Sequence, residues 1–166
     1  LIHPFDHPDI IAGQGTVGLE ILEQVPDVKT ILVSLGGGGL LAGIAVAVKA
    51  LKPDVRIIGV QAEGAAAYPL SLAAGHPVAA EKMSTMADGI AVGLPGEVNF
   101  PLVRDLVSGI QTVSESDLSR AALMLLERAK LVVEPAGAAA AAALLHESAL
   151  ALEGPIVCVL SGGNID

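Results

Sequence analysis

The sequence predicts an α/β fold, a mostly parallel sheet with helices on both faces. Short β-branched apolar runs alternate along the chain with longer runs whose apolar residues recur at helical spacing. Ile31, Leu32 and Val33 follow one another without a polar break, the pattern of a strand covered on both faces. Four consecutive glycines, Gly36, Gly37, Gly38 and Gly39, then separate that strand from a helical pattern.

A first helix is expected over 16–24, where Val17, Ile21 and Val25 recur at intervals of four; Gly15-Thr16 reads as its start and Pro26 as its stop. A strand over 30–35 and a helix over 40–51, ended by Pro53, follow. The second strand spans 55–61, and a helix over 65–74 closes on Gly75. Residues 76–97 read as loop. A short helix over 100–106 leads to a third strand at 109–113. Ser114-Glu115-Ser116-Asp117 then caps a helix over 118–130 with a buried stripe of Leu118, Ala121, Ala122, Leu125, Leu126 and Ala129. Glu134-Pro135 opens a helix to about 149, because proline suits the first helical turn. The last strand is 155–160. Strands alternating with helices imply the parallel sheet, and no internal repeat or interdomain linker interrupts the pattern.

Composition narrows the function. Hydrophobic residues make up 52% and aromatic ones 2%, so the core is built from Ala, Val, Leu and Ile. Nineteen glycines and ten prolines in so apolar a chain point to short turns rather than disorder. A net charge of −9 without any basic cluster argues against nucleic-acid binding. The apolar stretch at 135–145 is too short to cross a bilayer, so no membrane role is expected. The single cysteine, Cys158, excludes an intrachain disulfide; it sits in an apolar run and reads as a buried structural thiol, in keeping with a cytoplasmic location. The chain begins at Leu1 without a methionine and reads as a fragment or a processed product.

The glycine run is the sharpest local signal. Backbone N–H groups without side chains approach a ligand closely, and the helix that follows adds unpaired donors and a partial positive charge. A phosphate cradle is expected. A relaxed dinucleotide fingerprint, Gly37-x-Gly39-x-x-Ala42 with Glu63 past the next strand, leaves an NAD-binding site as the rival.

Five separated motifs occur in order: Ala12-Gly13-Gln14-Gly15-Thr16, the tetraglycine with Leu40, Ala87-Asp88-Gly89, Glu134-Pro135-Ala136-Gly137-Ala138 and Ser161-Gly162-Gly163-Asn164. Together they resemble the serine/threonine dehydratase and serine racemase group of fold-type II enzymes that depend on pyridoxal 5'-phosphate (PLP). The resemblance runs from His3 to Asn164. It implies that Gly36, Gly37, Gly38, Gly39 and the Leu40 amide hold the PLP phosphate. It implies that Ser161 hydrogen-bonds the pyridine nitrogen and that Gly89 and Glu134 line the ring. A hydroxyl at that nitrogen is neutral and donates to it unprotonated, which suits β-elimination. Glu134 and Asp88 also have plainer readings, as a helix-start charge and a turn former.

The resemblance further implies an L-threonine or L-serine substrate, a homo-oligomer, and a Schiff-base lysine in a Ser-Phe-Lys segment. That segment and the asparagine loop for the substrate carboxylate are not among these residues. Lys29, Lys49, Lys52, Lys82 and Lys130 lack the context. The chain is therefore expected to be a single partial domain, the PLP-binding large-domain part of a catalytic core, inactive by itself. A non-catalytic binding protein that kept the fold is the other alternative. The positions where some relatives hold a cation are Gln61 and Ala67 here, so no metal is expected. His3, Asp6, His7 and Asp9 are read as a solvated entry segment rather than a metal site.

Overall fold

The computed structural model describes residues 3–146 and 151–165. In chain order the elements are α1 (Pro8–Gln24), β1 (Thr30–Ser34), α2 (Gly39–Leu51), β2 (Arg56–Ala62), α3 (Ala67–Ala74), α4 (Asn99–Leu106), β3 (Gly109–Val113), α5 (Glu115–Met124), α6 (Pro135–Leu145) and β4 (Ile156–Cys158). The four strands form one parallel sheet in the order β3-β2-β1-β4. The α/β architecture is therefore the one the alternating pattern predicts.

Strand alternation divides the core in two. Ile31, Val33 and Ile57 face one side with α1, α2, α3 and α4; Leu32, Ile58 and Val60 face the other with α5 and α6. Successive side chains of a strand point to opposite faces, so the apolar run of β1 supplies both cores. Alanine dominates the second core. Ala138, Ala139, Ala140, Ala142 and Ala143 of α6 are fully buried, and their small side chains let this helix lie close to the sheet.

Several boundaries differ from expectation. α1 starts at Pro8, eight residues before 16, capped by His7 Nδ1, which accepts from the Asp9 amide at 3.2 Å. Gly15, read as the helix start, lies inside the helix because it serves packing. A Cβ on Gly15 would stand 3.2 Å from the Gly43 carbonyl of α2. Close approach of two helices thus outweighs glycine's low helix propensity. The entry segment is not merely solvated. The Asp6 carboxylate accepts from the amides of Glu97 at 2.9 Å, Val98 at 3.0 Å and Asn99 at 3.2 Å, covering the otherwise unpaired donors that begin α4.

The Ser114 and Asp117 capping box forms as expected, and the Ser114 hydroxyl and amide hold the Asp117 carboxyl below its ordinary range. Past Met124 the helix widens into a π turn over Leu125–Ala129 that ends on Lys130 at φ 60°. The wider turn rotates the later residues out of the stripe: Leu118, Ala121 and Leu125 are buried and Ala122 is half-buried, but Leu126 and Ala129 are exposed. α6 ends at Leu145; the expected end near 149 lies outside the described residues. β4 is shorter than 155–160.

Cys158 is half-buried, its Sγ donating to the Ala140 carbonyl at 3.6 Å. Burial pushes its thiol up to about 11 from the ordinary 9.0. Since the thiolate is the reactive form, alkylation at pH 8 is expected to run about a hundredfold slower than for a small-molecule thiol. Mass spectrometry over a time course of iodoacetamide treatment checks this, and rapid labelling of the folded protein would contradict it.

Candidate functional site

In the sheet order, β1 connects onward to β2 on one side while β4 lies on the other. In parallel α/β sheets ligands bind in the crevice beyond the carboxyl ends of the strands. A cleft of about 570 Å³ lies there. All eight residues expected at the site line it: Gly36, Gly37, Gly38, Gly39, Leu40, Gly89, Glu134 and Ser161. They come from four separate stretches of sequence. The glycine loop follows β1, Gly89 belongs to a 3-10 turn over Asp88–Ile90, Glu134 caps α6, and Ser161 follows β4.

The loop can present its amides because no other group takes them. Among the described residues, the amides of Gly36, Gly37, Gly38, Gly39 and Leu40 donate to no acceptor. Gly38 has φ 105°, a left-handed conformation open to glycine at little cost. The loop passes directly into the thirteen-residue helix α2. Unpaired amides and the positive end of a helix dipole together attract an anion. Across the cleft, the Glu134 carboxylate packs beside Gly162, and the Glu134 amide donates to the Gly162 carbonyl at 3.2 Å.

Phe5 and Ser34 are among the lining residues that sequence reasoning missed. Phe5 packs its ring against Gly37, where any Cβ would collide with it; no local pattern relates residues so far apart. Ser34, the last residue of β1, is 4% exposed, and its hydroxyl has no hydrogen-bond partner among the described residues. A serine inside a buried apolar run is itself a signal, since an unpaired buried polar group costs about 1–3 kcal/mol.

No lysine lines the cleft among the described residues. Lys49 Nζ donates to the Pro53 carbonyl, Lys52 Nζ to Pro26 and Lys130 Nζ to Glu127, while Lys29 and Lys82 are exposed. Glu63, the acid a dinucleotide site would need, is exposed and does not line the cleft. Gln61 is buried, bonded through Nε2 to the Leu35 carbonyl at 3.2 Å and through Oε1 to the Tyr68 amide at 3.0 Å.

Comparison with known proteins gives a consistent result. The profile of the family "Pyridoxal-phosphate dependent enzyme" matches residues 1–162. The chain is 53% identical over 165 residues to an L-threonine ammonia-lyase of Geobacter sulfurreducens, covering 99% of this chain and 41% of that protein. Among solved structures, a threonine deaminase from T.th. superposes with a TM-score of 0.95 at 47% identity, covering 100% of this chain and 57% of the other. Maize serine racemase superposes with a TM-score of 0.96 at 40% identity, covering 100% and 52%. The chain thus spans about half the length of the proteins it matches.

Proposed function

The chain belongs to the pyridoxal-phosphate dependent enzyme family, and from this premise we propose that it forms part of an L-threonine or L-serine dehydratase whose PLP sits in the cleft beyond β1 and β4. The parent reaction is β-elimination, giving 2-oxobutyrate and ammonia from L-threonine or pyruvate and ammonia from L-serine. The observation that carries this reading is the set of free amides at residues 36–40, at the mouth of α2.

The residues fit the cofactor. Backbone donors suit its phosphate dianion, and the orphaned Ser34 hydroxyl in the cleft wall is a polar group that a bound ligand can satisfy. In this reading Gly36, Gly37, Gly38, Gly39 and Leu40 hold the phosphate through main-chain N–H groups. The Ser161 hydroxyl donates to the ring nitrogen without charging it, and Gly89 and Glu134 line the ring. When bound, PLP supplies the electron sink for breaking bonds at the amino acid's α-carbon. The protein's part is to fix the cofactor's position and to keep a neutral donor at the nitrogen.

The 166 residues act as one part of the catalytic core, and the anchoring lysine is contributed from outside them. Support comes from the absence of any lysine at the described cleft. Borohydride reduction of the PLP-loaded full-length polypeptide, followed by peptide mapping, is expected to find the pyridoxyl group on a lysine beyond these residues. A label on Lys29, Lys49, Lys52, Lys82 or Lys130 would contradict the assignment.

Serine racemisation is the second reading, favoured by the likeness to maize serine racemase. The discriminating experiment incubates the full-length enzyme with L-threonine and with L-serine and measures 2-oxo acids and D-serine. Oxo-acid release as the main product supports dehydration, whereas D-serine without oxo acid would replace it. The parent is further proposed to be a cytoplasmic homo-oligomer. The single cysteine accords with that setting, and exposed Leu123, Leu126, Val132 and Ile165 line an apolar groove suited to association.

A further inference from the structure

The loop that faces the cleft is gripped from behind. The Gly37 carbonyl accepts three hydrogen bonds, from Tyr68 Oη at 3.2 Å, from Asn99 Nδ2 at 3.0 Å and from the Gly96 amide at 3.1 Å. Tyr68 and Asn99 are both fully buried, and neither lines the cleft. The carbonyl therefore points into the protein, toward α3 and α4. Across a trans peptide the C=O and the following N–H point in opposite directions, so the Gly38 amide is turned away from those donors. That amide has no acceptor among the described residues.

No side chain of the loop itself fixes this orientation, since residues 36–39 are all glycine. Glycine peptides lack the side chains that restrict rotation, and a turned Gly37–Gly38 peptide would offer a carbonyl's partial negative charge to the anion. We propose that Tyr68 and Asn99 are positioning residues that lock this peptide so that the Gly38 amide, not the Gly37 carbonyl, faces the phosphate of the bound cofactor. The inference rests on the reading that the loop takes the PLP phosphate.

Both side chains are themselves fixed. The Tyr68 amide donates to Gln61 Oε1, and Gln61 Nε2 donates to the Leu35 carbonyl just before the glycines. Asn99 Nδ2 also donates to the Phe5 carbonyl at 3.0 Å, and its amide is held by Asp6. Burial raises the Tyr68 phenol well above its ordinary value, with the Asp6 charge adding to the effect. The hydroxyl thus stays a donor at physiological pH.

The test compares PLP with pyridoxal, which lacks the phosphate, by absorbance titration of the full-length polypeptide as apoenzyme. Wild type, Tyr68→Phe and Asn99→Ala are measured, with the apoenzyme melting temperature of each. Tyr68→Phe keeps the ring beside Phe100 and removes only the hydroxyl. Both variants are expected to bind PLP about tenfold more weakly, about the worth of one such hydrogen bond, with pyridoxal affinity unchanged. Equal weakening of both ligands would mean a general structural role and overturn the inference, as would no change in either. A wild type that binds PLP no better than pyridoxal would instead overturn the cofactor-phosphate reading beneath it.

Discussion

Replacing Gly38 with alanine is expected to weaken PLP binding by about a hundredfold or more, the equivalent of about 2.8 kcal/mol. At φ 105° the residue occupies a conformation that alanine adopts only under strain, at a cost of about 1–3 kcal/mol. The new Cβ would also collide with the Tyr68 hydroxyl and lie 2.9 Å from Asn99 Cβ; overpacking of this kind costs about another 1–3 kcal/mol. Rotation of the Gly37–Gly38 peptide would relieve both conflicts and move an amide out of the cradle. Strain and binding geometry are thus coupled at one residue. Equilibrium dialysis of the full-length variant against PLP measures the effect. Affinity equal to wild type would show that the phosphate does not depend on this peptide.

Ala140→Leu is expected to have the largest effect on stability. Ala140 is fully buried in α6, and its carbonyl accepts from Cys158 Sγ of β4. The alanines around it are buried on every side of the helix, so a larger side chain has no solvent face to turn toward. Strand displacement costs about 1–3 kcal/mol or more, a large share of the about 5–15 kcal/mol that holds an ordinary domain together. Urea denaturation of the full-length polypeptide is expected to show loss of at least about 2 kcal/mol. An unchanged midpoint would mean that α6 has room the packing does not reveal.

How much was legible in the sequence follows from how local each cause is. The strand at 30–35, the capping box at Ser114 and the placement of the glycine loop between strand and helix all rest on neighbouring residues, and each was readable. The eight expected site residues come from four of the five sequence motifs, and the fold places them along one cleft. What the sequence concealed lies in distant contacts. Asp6 caps α4 from 91 to 93 residues away, and Asn99 reaches Gly37 across 62; no periodicity encodes either. The start of α1 was misplaced because glycines that break isolated helices here permit close packing on α2. The stripe of α5 drifted because a π turn adds to the helical period near Leu125. Ser34 passed unnoticed because a single hydroxyl in an apolar run looks like a strand residue until its lack of a partner is seen.

The proposed site holds one cofactor in one orientation. A crystal structure of the full-length polypeptide with PLP tests it most directly. The phosphate is expected on the amides of residues 36–40, with the pyridine nitrogen within hydrogen-bonding distance of Ser161 Oγ and the Gly37 carbonyl still bonded to Tyr68 and Asn99. A phosphate bound away from the glycine loop, or a ring nitrogen that does not reach Ser161, would contradict it.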